Sequence, residues 1–600
     1  FVGDMAAPND DERFHRQRPA DSKKPAEALN AAAAAAQGSH LTLLPGHSRL
    51  SPDALAETAR VLAARPEIEL IYTDEDRMDD HGARSEPVFK PEWSPALADS
   101  GLFPGHLCFV RTEKFRALGG FRDEFPLLPW FDVLLRLGDQ LPQTQTAHVP
   151  LVCHHARADV TRETAPDHPS VEEARKALAD AVRRRGRNTA PFLPETGHHR
   201  RMRYHQYRPE PGILARLPVT IVIPTRDRLH LLQECIELLD ETVDWRHARL
   251  VIADDHSRDA DAVRYLETIQ RRSDLHCRIV RPADRAAPFN YSHLVNLALP
   301  LVETPLILHL NNDVNALEPG WLEELATWFL QADVGAVGAQ LVYPEKTLNH
   351  TGIVIGPHGG LADTPFAKAN PADTPIAWHA AAREVSAVTG ACLMTRTELY
   401  RRLGGFDEQD FGVAYNDVDY CLRVRAEGHR VIYTPQAKLM HWGSATRGVT
   451  FDDAEHVAFV RRYPGYRDPY LSPHLALRGN QLQCVAGTTV RHDRAGPLRL
   501  LLLTHNLNLE GAPLFLLEYA KWMVNEAGCT IEILAGQDGP LRETFAAMGA
   551  RITIVDAGPL YSSPEEETFH RRLHDIALQV AWERIDLVVC NTRSEEHTSE

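Results

Sequence analysis

Residues 219–257 read VTIVIPTRDRLHLLQECIELLDETVDWRHARLVIADDHS, and the order of patterns within them sets the fold. Val219 to Ile223 is a short run rich in β-branched residues, Leu229 to Leu239 has its apolar residues at helical spacing, and Leu250 to Ala253 is a second short apolar run. Strand, helix and strand at these lengths are the rhythm of a parallel sheet in an α/β fold. A third run, Leu306 to Leu310, ends in Asn311, Asn312 and Asp313; beyond it, Pro319 and Trp321 to Leu330 read as a helix with proline near its first turn. Polar residues thus follow the C-terminal strand ends, where open α/β sheets bind ligands.

Downstream, a Pro- and Arg-containing stretch from Tyr463 to Pro497 reads as irregular and leads to a new strand at Leu498 to Leu503. Runs at Ile531 to Leu534, Ile552 to Val555 and Leu587 to Val589 alternate with helical segments at Leu514 to Val524 and Leu541 to Met548, which is half of a Rossmann-like domain. Upstream, the first 26 residues are polar and aperiodic and are expected to lack structure, while the alanine run Ala31 to Ala36 suits a helix.

An internal repeat organises the middle. RTEKFRALGGF at Arg111 to Phe121 matches RTELYRRLGGF at Arg396 to Phe406 in eight of eleven positions. Beyond it, Asp132, Leu135, Arg136 and His154 correspond to Asp419, Leu422, Arg423 and His441, with the same 22-residue step from Asp to His. The chain therefore carries two versions of one domain, the first lacking a counterpart of Pro218 to roughly Phe289.

The 600 residues exceed the ~250–300 that one hydrophobic core supports, so three domains are expected. The expected boundaries are 27–200, 217–465 and 498–592, with a linker at 466–497. Residues 593–600, RSEEHTSE, resemble translated adapter sequence and are set aside, and both ends look truncated. A formal charge of -17 argues against nucleic acid as a partner, because phosphate backbones are held by clustered Lys and Arg. Nine cysteines occur singly with no CxxC pair, which suits a reducing cytoplasm. No apolar run approaches the ~20 residues of a membrane span, and no signal peptide is evident.

Acids stand after successive strands: Asp254 and Asp255, Asp313, and further on Asp417 and Asp419. Hard Mg2+ or Mn2+ ions prefer such oxygen ligands. Each motif alone has a plainer reading. Asp254, Asp255, Ser257 and the Asn311–Asp313 turn could be cap and turn residues, Asp417 and Asp419 a solvated helix start, and His441 a structural histidine.

Taken in order, VTIVIPTRDR, ADDHS, LNNDV, TGACLMTR, LGGFDE, NDVDYCLR and HWGS resemble a family 2 glycosyltransferase of the GT-A fold, over about 230 residues and most strongly the bacterial rhamnosyltransferase-like enzymes of surface polysaccharides. The resemblance implies that Pro224, Thr225, Arg226, Asp254, Asp255 and Asn312 hold the nucleotide donor. By the same likeness, Asp313 and His441 bind Mg2+ or Mn2+, Asp417 is the base of an inverting displacement, and Gly390, Ala391 and Asp419 lie on the acceptor side. Asn311 stands where many relatives carry an acid, and Asn416 precedes Asp417 where Glu is more usual. The expected donor is a nucleotide-diphosphate sugar. The expected acceptor is a glycan or lipid-linked glycan reached by peripheral contact with the inner membrane face.

In the first copy, Pro45, Gly46, His47 and Ser48 stand at the metal turn and Trp130 stands opposite Asp417, so that copy is expected not to catalyse. Its segment Tyr72 to Ser94 resembles the acceptor-side part of related multidomain transferases, and its acids read as a solvated loop. The C-terminal unit resembles the opening half of a family 4, GT-B type transferase through LLLTHNLNLEGAPLFLLEYA and DLVVCNT. Two other functions compete: a nucleotidyltransferase, against which PTRDR stands in place of a Gly-rich loop, and a non-catalytic sugar-binding scaffold.

Overall fold

The computed structural model describes residues 24–46, 48–101, 103–157, 169–185, 189, 191–192, 205–355, 362–371, 374, 377–443, 453–478, 481–484, 498–525, 528–555, 585 and 587–590. The chain divides into two compact units, Phe1–Cys484 and Val485–Glu600. Both copies of the repeat lie in the first. The terminal octet lies outside the described residues.

The first copy builds a six-stranded sheet from β1 (His40–Leu41), β2 (Ser48–Leu50), β3 (Leu70–Met78), β4 (Arg84–Val88), β5 (Cys108–Arg111) and β6 (Thr146–Arg157), in the order β1-β5-β3-β6-β2 with β4 on β3. A short ladder of β7 (Pro191–Phe192) and β8 (Gln206–Tyr207) follows. The second copy builds a ten-stranded sheet. Its strands are β9 (Val219–Thr225), β10 (Ala248–Asp254), β11 (Arg278–Val280), β12 (Leu306–Leu310), β13 (Val314–Ala316), β14 (Val334–Val342) and β15 (Leu348–His350), then, past a separate ladder of β16 (Val354–Ile355) and β17 (Ala362–Asp363), β18 (Arg383–Glu384), β19 (Cys392–Arg396) and β20 (Arg430–His441). The order is β11-β10-β9-β12-β19-β14-β20-β13, with β9 to β12 parallel and β19 antiparallel to both neighbours. This mixed α/β sheet is the GT-A arrangement that the motifs imply.

Alternation along the strands explains why this sheet is covered on both sides. Val219, Ile221, Ile223, Leu250, Ile252, Leu306 and Leu308 face one core, where the helix Leu229–Thr242 adds Leu232, Ile236 and Leu239. Val222, Val251 and Ile307 face the other, with Tyr291 and Val295 from the helix Tyr291–Asn296 and Val418, Tyr420 and Leu422 from the helix Asn416–Ala426. The helix expected at Trp321 to Leu330 is α-helical over Trp321–Thr327 and tightens to a 3-10 turn over Trp328–Leu330.

The repeat extends from sequence to topology. β1-β5-β3-β6-β2 and β12-β19-β14-β20-β13 run antiparallel, antiparallel, parallel, antiparallel at corresponding steps. The expected solvated loop at Tyr72 to Ser94 is instead structured: Tyr72, Thr73 and Asp74 are fully buried in β3, which β4, β5 and β6 flank. Asp74 and Asp76 are buried because His148 and His155 pair with them, whereas Asp79 to Ala83 form an exposed turn as expected. Within the stretch expected to be irregular, β21 (Leu475–Arg478) and β22 (Gln481–Cys484) form a hairpin.

In the second unit β23 (Arg499–Thr504), β24 (Thr530–Ala535), β25 (Arg551–Ile554) and β26 (Leu587–Cys590) form an all-parallel sheet in the order β25-β24-β23-β26, as the Rossmann-like reading requires. Among the described residues, eight cysteines are free thiols, and no helix is long and apolar enough to cross a membrane.

Candidate active site

β9 ends at Thr225 and is followed by Asp227 and Arg228, both with positive φ (54° and 47°), so the chain turns sharply before the helix at Leu229. The turn interlocks with the one after β10. Asp227 accepts from the backbone N–H groups of Arg258 (2.6 Å) and Asp259 (2.8 Å), and its own N–H donates to Ser257 Oγ at 2.8 Å. Asp254 is 1% exposed; its Oδ1 accepts from the Ser257 N–H and hydroxyl, and its Oδ2 accepts from Arg281 Nε at 2.6 Å. Asp254 therefore holds the turn, while Asp255 pairs with the half-exposed Arg226 at 3.0 Å. Register places Asp254 beside Thr225. Thr225 Oγ1 in turn accepts from Asn312 Nδ2 at 3.2 Å, joining the two strand ends to the turn after β12.

That turn carries Asp313, which is 3% exposed. Among the described residues its carboxylate has one polar partner, His441 Nε2 at 3.5 Å. β13 pairs with the end of β20 so that Val314 stands opposite His441, which brings two residues 128 positions apart together. His441 Nδ1 lies 2.9 Å from Asn349 Oδ1, an oxygen that can only accept, so Nδ1 donates this bond and Nε2 is the nitrogen turned toward Asp313. An imidazole nitrogen and a carboxylate oxygen 3.5 Å apart are donor types that a divalent cation takes. One carboxylate and one imidazole suit Mn2+ at least as well as Mg2+, which has less affinity for nitrogen.

Asp417 lies in the first turn of the helix Asn416–Ala426, after Tyr415 in the left-handed region at φ 58°. Its Oδ2 accepts from the Gly390 N–H at 2.7 Å. A Cβ at Gly390 would lie 3.4 Å from Asp417 Cβ, an ordinary van der Waals contact, so the two residues are packed neighbours as well as hydrogen-bonded ones. Tyr291, which the sequence reading did not single out, ties the parts together: its hydroxyl lies 3.1 Å from Asn311 Oδ1 and 3.4 Å from the Gly390 carbonyl. Ala391 is buried, and its carbonyl accepts from the Asn311 N–H at 3.0 Å. A continuous chain of contacts thus runs from Asp417 through Gly390 and Tyr291 to the Asn311–Asp313 turn, and on through Asn312 to Thr225. Nothing in residue spacing signalled Tyr291 or Arg281.

The acceptor-side place expected for Asp419 does not fit its surroundings. Asp419 is fully buried and accepts from Arg423 Nε (2.8 Å), Arg462 Nη1 (2.9 Å) and the Tyr463 hydroxyl (2.7 Å). Arg423 then donates to the carbonyls of Leu403 and Gly405 in the LGGF turn. The first copy repeats this: Asp132 accepts from Arg136, and Arg136 donates to the carbonyls of Leu118 and Gly120. The repeated Asp and Arg are scaffold.

The copies differ at two of the residues expected to carry chemistry. Leu50 stands opposite His154 as Val314 stands opposite His441, which sets Arg49 at the position of Asp313, one residue beyond the Pro45 to Ser48 stretch matched by sequence. Trp130, at the position of Asp417, is buried against Phe115 and Phe121.

Residues 216–457 match the family model described as "Glycosyltransferase like family 2". The chain is 34% identical over 465 residues to the O-antigen biosynthesis protein RfbC of Myxococcus xanthus, covering 75% of this chain and 35% of that protein. It is 33% identical over 468 residues to the uncharacterized protein y4gI of Sinorhizobium fredii (strain NBRC 101917 / NGR234), covering 76% of this chain and 50% of that protein. The chain thus spans half or less of either relative's length. Among solved structures it is similar to the mannosyltransferase PcManGT from Pyrobaculum calidifontis in complex with GDP-Man and Mn2+, with 18% identity, a TM-score of 0.29 and coverage of 45% of this chain and 68% of that one.

Proposed function

Residues 216–457 being a glycosyltransferase domain of family 2, we propose that the chain transfers a sugar from a nucleotide-diphosphate donor to a hydroxyl of a glycan or lipid-linked glycan, with inversion, at the cleft between the Asn311–Asp313 turn and Asp417. The observation that carries this reading is the contact chain Asp417, Gly390, Tyr291, Asn311, which ties the helix turn bearing Asp417 to the turn bearing Asp313.

Asp417 takes the proton from the acceptor hydroxyl, and the Gly390 N–H fixes the lobe of the carboxylate that faces it. Asp313 and His441 would hold Mg2+ or Mn2+, whose chemistry is to neutralise charge on the departing diphosphate. Thr225 and Asp255 stand at the strand ends where the base and ribose of the donor belong, and Arg226 lies beside Asp255 to meet a phosphate. Asp254, held by Ser257 and Arg281, positions that loop. The named function of the Myxococcus relative favours surface polysaccharide synthesis, and a lipid-linked acceptor would place the domain at the inner membrane face by peripheral contact. The first copy, with Arg49 and Trp130 at the two key positions, transfers nothing in this scheme and serves as a docking or scaffold module.

The test is release of nucleoside diphosphate from a panel of nucleotide-sugars, with Mn2+, Mg2+ or a chelator, compared between the parent chain and Asp313→Asn. Cation-dependent turnover that Asp313→Asn abolishes is expected. Turnover indifferent to both chelator and substitution would sink the proposal.

A further inference from the structure

The first copy has its own cluster of ligating groups, separate from the proposed transferase site. β3 and β6 run parallel with register irregularities between Thr73 and Asp74 and between Asp74 and Glu75. Such bulges re-aim side chains. Three consecutive acids each meet a histidine: Asp74 with His148 (2.8 Å), Glu75 with His154 (3.8 Å) and Asp76 with His155 (2.5 Å). The first and third are closed hydrogen-bonded pairs. The middle one is different.

Around Glu75, a second imidazole arrives from the loop before β5, with His106 Nδ1 3.3 Å from both carboxylate oxygens and the His106 N–H donating to Oε2 at 3.0 Å. The rings of His106 and His154 stack, centroids 5.2 Å apart and planes 15° from parallel. One ligand atom from each of Glu75, His106 and His154 lies within 4.8 Å of the others. His154 is fully buried and its Nε2 bonds Ser48 Oγ at 2.8 Å, yet its Nδ1, turned toward Glu75, has no hydrogen-bond partner. Buried polar nitrogens are rarely left so.

We propose that Glu75, His106 and His154 bind a divalent transition-metal ion of the zinc class. Two imidazoles and one carboxylate are the donor set that favours zinc over magnesium or calcium. Tetrahedral ligation at the usual lengths separates donor atoms by roughly 3.4 Å, so the carboxylate-to-histidine spacings of 3.3 and 3.8 Å need little adjustment. The His106 side chain is 38% exposed, which gives the ion an entry path and leaves a fourth position for water or an oxygen ligand.

Lys90 also belongs to the site. Its Nζ lies 3.2 Å from Glu75 Oε2 and donates to the Thr73 carbonyl, and a Cβ on Gly105 would fall 2.5 Å from it, so only glycine lets the loop carrying His106 close over the pair. Lys90 supplies the positive charge that the carboxylate needs when no metal is bound. A carboxylate has about four acceptor positions, enough for the ammonium, the N–H and a metal ion together, although the ammonium weakens the affinity. The ligands come from β3, the β5 loop and β6, so the ion would clip the centre of the first sheet.

The test uses Co2+ and Zn2+ alone as probes on the chelator-stripped chain. Co2+ should give one saturable equivalent with a visible ligand-field band, displaced by Zn2+, apart from any weaker uptake at Asp313 and His441. That equivalent should survive Asp313→Asn, which removes the proposed transferase cation site, and should weaken by more than ~100-fold in His106→Ala and in Glu75→Gln, beyond the ~10–100-fold that a merely supporting contact is worth. His106 is partly exposed, so His106→Ala is expected to keep the parent circular dichroism. No saturable binding, loss of the band in Asp313→Asn, or its persistence in a folded His106→Ala would each overturn the site.

Discussion

The Gly390 N–H and the Asp417 carboxylate are 2.7 Å apart, although 27 residues of chain separate them. The bond fixes one oxygen of the proposed base, which makes Asp417→Asn a clean probe because the amide can still accept from Gly390 through its own oxygen. Turnover should fall by about 10²- to 10⁴-fold, the range for losing a general base, with donor affinity nearly unchanged. Steady-state kinetics at saturating donor, with donor binding measured separately, checks both halves. Full turnover in the variant would remove Asp417 from the mechanism.

Tyr291 offers a subtler experiment. Its hydroxyl bridges Asn311 Oδ1 and the Gly390 carbonyl, so Tyr291→Phe cuts the link between the cation turn and the base while the ring stays packed near Phe406. Loss of this partly buried hydroxyl should cost about 1 kcal/mol of stability. The larger effect expected is on kcat, with the KM for the donor little changed, since the link positions groups and does not bind the nucleotide. A change confined to KM would place Tyr291 in donor binding instead.

Asp419 and Asp417 share one helix turn and should behave oppositely. Asp419 is buried among Arg423, Arg462 and Tyr463, and removing one partner of such a pair leaves uncompensated buried charge, typically about 3–5 kcal/mol. Asp419→Asn should therefore lower the urea midpoint strongly while turnover per folded molecule is retained. Asp132→Asn should do the same in the first copy, where Arg122 and Arg136 hold the carboxylate. Loss of turnover without loss of stability in Asp419→Asn would return that residue to the acceptor side.

This contrast shows what the sequence could reveal. The parallel strands of the second copy were legible because Val219 to Ile223 and Leu250 to Ala253 are short, β-branched and flanked by turn residues. The later strands were less so: β14 is broken by Gly335 and Gly338 and β20 by Pro435, and the CLMTR run of β19 has little β-branched character. Asp313 and His441 could be paired by motif order, yet their proximity depends on the β13–β20 register, which no local pattern encodes. Asp419 was misread because a motif shared by two copies marks whatever both copies need, and both need the Asp-to-Arg clamp on the LGGF turn. The proposed chemistry falls where the copies differ, at Asp313 against Arg49 and Asp417 against Trp130.

His309 yields a prediction in the pH dependence of stability. It lies on β12, fully buried, with neither ring nitrogen hydrogen-bonded and with Tyr400 and Phe406 each 4.8 Å away. Burial pushes its pKa down to about 3, from 6.5 in an unfolded chain. The folded protein therefore keeps the ring neutral over a range in which the unfolded chain takes up a proton. The resulting stability is fully present above pH 6.5 and is lost progressively as pH falls toward 3, at about 1.4 kcal/mol per pH unit. Between pH 6.5 and 5 this one residue should cost about 2 kcal/mol. His309→Phe places an apolar ring of similar shape in the same aromatic cluster and should remove that portion of the pH slope. It should also raise stability at neutral pH, because two orphaned polar atoms disappear. Urea titrations of parent and variant at several pH values between 7.5 and 5 measure the difference. Parallel curves over that range would mean that the ring finds a proton or a water inside the fold, and that its burial is not the origin of the slope.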